Sequence, residues 1–372
     1  MHIGILAPFH QFGGSENQIL LLLRGLLQRG IRVTLFHFRI EHEALRDRLE
    51  ALSGLETCNA TTSGMRRPVQ LLRETAELAA AARERGIQVL HCWNYSGHIV
   101  GGLVARRAGV PALYSIGGLD PWKKAWQMPF YRFVNRMATG FAFQSETTRD
   151  IVCRREHIQK NVTCVIPNGV DVQRFRPAGR EQSRPRLLAE LRSGTECLPI
   201  ILSVGSLRPI KGHDVLIEAV RQLRVTRPEL RFHVVIAGDG PLRQQYEQLA
   251  ADLPVSIVGF RANPEELYNA ADVYCQPSRS EDLPNSIVEA MCCGLPIVAS
   301  AVGAVGELVN AENGRLFAPG DSQGLARQLA ELLTNRESWP VMRDASLARS
   351  RHFSGEKMVD AYLAIYQQMA AA

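Results

Sequence analysis

Short apolar runs bounded by glycine alternate along this chain with stretches whose apolar positions recur every three or four residues. Residues 2–9 (HIGILAPF) read as a buried strand and 13–17 (GGSEN) as a glycine turn. Residues 17–29 then place Ile19, Leu20, Leu23 and Leu27 on one stripe of a helix that stops at Gly30. Further strand signals follow at 31–38, 87–93, 111–116 (PALYSI), 140–145 and 164–171, with an Ala-rich helix at 68–85. This alternation predicts right-handed crossovers and a parallel sheet.

The stretch 176–198 is polar and rich in proline, and it reads as a linker. Beyond it the plan restarts, with strands at 199–206, 231–237, 255–260, 271–278 and 295–300 and a helix at 215–224. The expected architecture is α/β, with two Rossmann-like, doubly wound domains facing a central cleft. Their expected bounds are 1–178 and 199–345. The segment 346–372 is expected to be a helix returning to the N-terminal domain, with Met358, Tyr362, Ile365 and Met369 on its buried stripe. In such sheets ligands bind outside the carboxyl ends of the strands.

Composition narrows the function. With 372 residues, 46% hydrophobic and 22% charged, the chain is an ordinary globular one, long enough for two cores. No apolar run approaches a membrane span, and the first residues lack the basic start of a signal peptide. The eight cysteines form no CxxC pair and read as buried thiols in a reducing compartment, which places the protein in the cytoplasm. Residues 1–180 carry 24 Lys/Arg against 14 Asp/Glu, whereas the remainder is net acidic. The basic half, with pairs at Arg66–Arg67, Arg106–Arg107, Lys123–Lys124 and Arg154–Arg155, suits an anionic membrane surface or acidic small molecules. Without RNP, zinc-finger or long basic patterns, nucleic acid is the weakest candidate partner.

Several glycine turns follow strands, and each offers amides that could cradle an anion. They are Gly13–Gly14, the segment GSLRPIKG from Gly205 to Gly212 carrying Arg208 and Lys211, and Gly238 with Gly240. None matches a dinucleotide fingerprint or a P-loop. Together they argue for a phosphate-rich ligand. The densest segment is 278–300, where Glu281 sits in a loop before a helix beginning near Ser286. Glu289 lies one turn inside, and Ser286 with Glu289 also fits a simple capping box.

In this order the motifs resemble the retaining glycosyltransferases of family 4, which have the GT-B fold. The resemblance rests on GGSE (13–16), IPNGVD (166–171), VGSLRPIKG (204–212), AGDGP (237–241), the Glu281–Glu289 segment, GLPIVAS (294–300), VGELV (305–309) and NGRLFAPGD (313–321). It implies a nucleotide-sugar donor, UDP-linked by family weight, and a C-terminal domain that binds it. An N-terminal domain would bind a hydroxyl acceptor on a glycan or lipid-linked intermediate of polysaccharide assembly.

By that resemblance Lys211, Glu281 and Arg208 are the catalytic candidates. Arg208 takes the part of an Arg that relatives carry where this chain has Ser206. Gly13, Gly14, Gly205, Ser206, Gly238, Gly259, Phe260, Asn285, Ser286, Ile287 and Glu289 become donor-binding candidates. Glu289 would hold the ribose and Gly259–Phe260 would lie near the base. On the acceptor side stand His91, which is either an acceptor-side group or a satisfied strand-end histidine, Asn94, and Gly117, the last where relatives commonly have a His; His10 and His98 are other possible imidazoles. No metal and no cofactor is expected, since no DxD or ligand cluster is visible. A nucleotide-sugar epimerase and a catalytically silent sugar-nucleotide-binding subunit are the alternative readings. Peripheral contact with an anionic membrane at its inner face is a further expectation.

Overall fold

Among the described residues, seven parallel strands build one sheet and six build another. The computed structural model describes residues 1–7, 9, 13–38, 40, 43–60, 68–119, 123–191 and 198–371. His10, the Arg66–Arg67 pair and part of the expected linker (192–197) lie outside the described residues. The chain divides into unit 1, residues 1–169 with 355–372, and unit 2, residues 170–354.

The first sheet comprises β1 (His2–Ala7), β2 (Arg32–His37), β3 (Leu55–Asn59), β4 (Val89–Trp93), β5 (Ala112–Ile116), β6 (Gly140–Phe143) and β7 (Thr163–Val165), in the order β3-β2-β1-β4-β5-β6-β7. The second comprises β8 (Ile200–Val204), β9 (His233–Ala237), β10 (Val255–Gly259), β11 (Val273–Gln276), β12 (Ile297–Ser300) and β13 (Gly314–Phe317), in the order β10-β9-β8-β11-β12-β13. Central strands such as β1, β4 and β9 are buried along their whole length, because helices cover both faces. The order reverses between β1 and β4 and again between β8 and β11, and each reversal leaves a gap at the carboxyl edge of its sheet.

The boundaries differ from the sequence expectation. Unit 1 ends at Gly169, not near residue 178, and the chain returns to it at Gly355, not near 346. The expected linker is mostly a helix, Arg180–Leu191, belonging to unit 2. Its Arg180 and Arg184 grip the two oxygens of Asp272 at 2.5 and 2.9 Å, a paired anchor that a polar, proline-containing sequence conceals.

The final helix, Gly355–Ala371, packs in unit 1 beside helix Gly14–Gln28, with Met358, Val359, Tyr362 and Tyr366 buried. Tyr366 takes the place on the buried stripe that periodicity gave to Ile365. Its hydroxyl meets Nδ1 of His91 at 2.6 Å. The indole of Trp93, which can only donate, also reaches Nδ1, at 3.3 Å. Nδ1 is therefore the acceptor, and Nε2–H donates to Ser115 Oγ at 2.7 Å, which in turn meets the Tyr362 hydroxyl at 3.1 Å. His91 is wholly buried with both nitrogens engaged, so it holds the last helix to the sheet and is not an acceptor-side group. His98 is likewise interior, bonded to the Ser115 carbonyl at 2.9 Å and stacked on Tyr114.

Burial pushes the pKa of His91 down to about 3, and that of His98 down to about 4 despite its bond to the Ser115 carbonyl. Both lie below the ordinary 6.5, so the unfolded chain takes up protons that the folded chain refuses. Their stabilising contribution is complete above about pH 6.5 and is lost as pH falls towards 4. We expect the melting temperature to drop between pH 7 and pH 5, at up to ~1.4 kcal/mol per pH unit for each such histidine. Circular dichroism melts across that range test this, and a flat profile would show that protons reach both rings in the folded state.

Candidate functional site

In unit 2 the strand order reverses between β8 and β11, so the loops that follow these two strands flank one gap. After β8 the chain runs through Gly205 and Ser206, whose loop is held by Gly205 N–H to Ala237 O at 2.9 Å and Leu207 N–H to Asp239 O at 2.9 Å. Gly238 donates to Gly259 O at 2.9 Å, so the turns after β8, β9 and β10 are bonded in series. A 3-10 turn, Pro209–Lys211, brings Lys211 to the gap, with Arg208 exposed just before it. Gly212 then adopts a left-handed conformation (φ +65°), and a Cβ there would lie 2.1 Å from the Pro277 carbonyl oxygen. Only glycine lets the Lys211 turn approach the loop after β11 so closely.

Across the gap, Lys211 Nζ meets Glu281 Oε1 at 2.6 Å, with side chains 26% and 10% exposed. The same oxygen accepts from Ser278 Oγ at 2.7 Å and Gln276 Nε2 at 3.0 Å. Gln276, at the carboxyl end of β11, also donates to Ser278 Oγ, and its carbonyl accepts from Tyr274 OH at 2.5 Å and Ser286 Oγ at 2.9 Å. Both halves of this buried amide are satisfied, which fixes its orientation and that of Glu281. Outside the network, Arg279 makes a two-pronged pair with Asp214 at 2.8 and 2.6 Å and bonds the Pro209 carbonyl. That bond to Arg279 holds the Asp214 carboxyl below its usual range and clamps the Lys211 loop to the Glu281 loop.

The helix after this loop spans Asn285–Cys292, with Pro284 at its N-cap and no side-chain cap. Ser286 bonds Gln276, so the Ser286–Glu289 capping box does not form. Ile287 N–H reaches back to Pro284 O at 3.1 Å, while Asn285 and Ser286 stand at the helix start, where the dipole is positive. Glu289 accepts from the hydroxyl of fully buried Tyr268 at 2.8 Å. Burial raises the Glu289 pKa, opposed by that hydrogen bond and by the charge of Arg174. Phe260, beside Gly259 at the end of β10, is 67% exposed.

Unit 1 carries the remaining candidates. Gly13 precedes helix Gly14–Gln28, and its N–H bonds the Glu16 carboxylate at 3.0 Å. Asn94 is exposed, at φ 59°, where the chain leaves β4 for helix Asn94–Ala108. Gly117 follows β5, and a Cβ there would come within 2.7 Å of Gln144 Nε2. The Gln144 amide, which accepts from Asn168 at 3.1 Å, thus occupies the space that a side chain at 117 would enter.

The structure therefore brings Lys211, Glu281 and Ser286 into one network, with Gly205, Ser206, Arg208 and Gly238 on the adjoining turns. The sequence reading missed Gln276, Ser278, Tyr274 and Tyr268, and the Asp214–Arg279 clamp. The one signal for Gln276 and Ser278 was their place at the end of the strand-like run 271–278. A hollow of about 460 Å3 near Pro177, Tyr268 and Asn269 opens at the amino ends of β11 and β12, away from this network. Chemically, the gap holds one fixed cation, one oriented carboxylate and a helix start, which suits developing charge on a phosphate.

Residues 12–174 match the family described as Glycosyltransferase Family 4, and residues 198–335 match Glycosyl transferases group 1. The chain is 30% identical to a D-inositol 3-phosphate glycosyltransferase of Streptomyces coelicolor, over 74% of this chain and 68% of that one. A protein of the same name from Salinispora arenicola is 28% identical over 98% of this chain and 90% of its own. Among solved structures, Anabaena Alr3699/HepE in complex with UDP and glucose superposes with a TM-score of 0.84 at 23% identity, covering 99% of this chain and 100% of that one. Matching both halves of the family's pattern, and with two parallel doubly wound sheets, the chain belongs to the group 1 glycosyltransferases of family 4 and is a transferase of GT-B fold.

Proposed function

We propose that this transferase takes its sugar from a UDP-linked donor with retention of configuration. The acceptor is a hydroxyl on a lipid-linked or glycan intermediate of polysaccharide assembly, reached at the inner, anionic face of the membrane. The observation that carries the reading is the Lys211–Glu281 pair held at the carboxyl edge of β8 and β11. The UDP and glucose named for the Anabaena structure support this choice of donor.

In this reading the bond between the anomeric carbon and the β-phosphate oxygen breaks while the acceptor oxygen bonds that carbon. The acceptor's proton passes to the departing phosphate, so no protein base is needed. Lys211, with Arg208 on the same loop and the amides of Asn285–Ile287, stabilises the negative charge that develops on that phosphate. The cations and amides at the gap offset this charge without a metal or cofactor. Glu281, whose Oε1 takes the bonds from Lys211, Ser278 and Gln276, turns Oε2 to a hydroxyl of the donor sugar. Glu289 holds the ribose and Phe260 lies against the base. Acceptor binding falls to unit 1. A second acceptor reading, D-inositol 3-phosphate, rests on the names of the relatives. Assaying UDP release with each acceptor class separates the two, and sugar interconversion without any acceptor would favour an epimerase instead.

Lys211→Ala should lose about 2–4 kcal/mol of transition-state stabilisation, read as UDP release under saturating donor. Near-normal turnover would remove Lys211 from the reaction. Glu289→Gln should weaken UDP binding by roughly 1.5–3 kcal/mol in calorimetry. A role confined to its bond with Tyr268 would instead lower the melting temperature and leave affinity unchanged. Turnover should also survive EDTA; loss that Mg or Mn restores would refute a metal-independent mechanism.

A further inference from the structure

From Asp120 to Glu146 the sequence contains no other acidic residue, yet it carries Lys123, Lys124, Arg132 and Arg136 among several aromatics. A 3-10 turn, Ala125–Gln127, leads into helix Met128–Asn135 in unit 1. Met128, Tyr131 and Val134, three residues apart, face inward at 8%, 3% and 2% exposure. Trp126, Phe130 and Phe133, at positions i, i+4 and i+7, form the opposite stripe and are 76%, 51% and 57% exposed. Lys124 and Arg136 are exposed at the two ends of this stripe. Lys123 is not part of it: its ammonium is buried on Glu156 at 3.0 Å and above the Tyr131 ring, which anchors the helix from below.

We infer that this stripe is the surface by which unit 1 lies on an anionic lipid bilayer. The inference rests on the proposed membrane-side acceptor and deepens it by naming the contact. Three large aromatics exposed on one face are costly in water, and Trp and Phe are the side chains that settle at a headgroup boundary. The cations at both ends and the absence of any carboxylate in the segment complement anionic headgroups. The helix is too short to cross a bilayer, so it lies flat, as interfacial helices do. Helix Pro68–Glu84 also begins at the carboxyl edge of the sheet and, like Met128–Asn135, packs against helix Asn94–Ala108. Its Val69 and Leu72 are 82% and 51% exposed.

The test is flotation of the full chain with vesicles of phosphatidylcholine and phosphatidylglycerol in equal parts, against pure phosphatidylcholine. Wild type should float with the mixed vesicles only, and less so as salt rises. Combined Lys124→Glu and Arg136→Glu should cut vesicle binding by about tenfold or more. Combined Trp126→Ser, Phe130→Ser and Phe133→Ser should abolish it. Both variants should keep the wild-type melting temperature and UDP affinity, because every altered side chain is exposed and none contacts the Lys211 network. Wild-type flotation undiminished in both variants would overturn this surface while leaving membrane attachment standing. A wild type that fails to float would overturn the contact while leaving UDP-dependent turnover standing. Trp126-dependent dimers in sedimentation, without vesicle binding, would assign the stripe to a second copy of the chain and overturn the inference.

Discussion

Parallel strands cannot be joined by tight turns, so each must be followed by a crossover, and all crossovers leave from the same edge of the sheet. Where the strand order reverses, two neighbouring crossovers depart to opposite faces and the edge between them stays open. In unit 2 this happens between β8 and β11, and the two charges at the centre of the site come one from each side. Lys211 arrives on the loop after β8 and Glu281 on the loop after β11. Neither charge could be placed there by residues close in sequence, since they are separated by most of a domain core.

The pair is then held by its surroundings. Glu281 receives three hydrogen bonds on one oxygen, Gln276 is satisfied on both of its ends, and Arg279 with Asp214 closes the loops from outside. A largely buried ion pair is a weak source of stability, because desolvation offsets its attraction. What it gives instead is a defined position for the ammonium, with charge already balanced until an anion arrives. Gly212 makes the approach possible, because any side chain there would strike the Pro277 carbonyl.

Much of this was legible in the sequence, and the exceptions have physical causes. Apolar runs gave the central strands because those strands are buried on both faces. β3 (LETCN) escaped notice because it lies at the sheet edge, where its residues are largely exposed. Helix Asn94–Ala108 escaped because its glycines look like helix breakers. A Cβ at Gly101 would sit 2.2 Å from Cys92 Sγ and one at Gly102 2.0 Å from the Tyr114 hydroxyl, so close packing outweighs propensity. Lys211 and Glu281 were found through motif order, whereas Gln276 and Tyr268 carry no motif and emerge only once strand order is known. His91 looked like a site residue because an imidazole at a strand end in the first sheet could serve chemistry. Its hydrogen bond to Tyr366, 275 residues away, is invisible to any local pattern.

The division of unit 1 into two stretches has a consequence for how the molecule is made. A ribosome releases residues in order, so unit 2 has been synthesised in full before the residues after Ser354 appear. Until then the face of the first sheet that receives Tyr362 and Tyr366 is bare, and His91 lacks the hydroxyl that its Nδ1 accepts. The contiguous second half can close early, whereas the first half must wait with an apolar surface uncovered. Nascent chains stalled before residue 355 should therefore be the species that folding helpers bind.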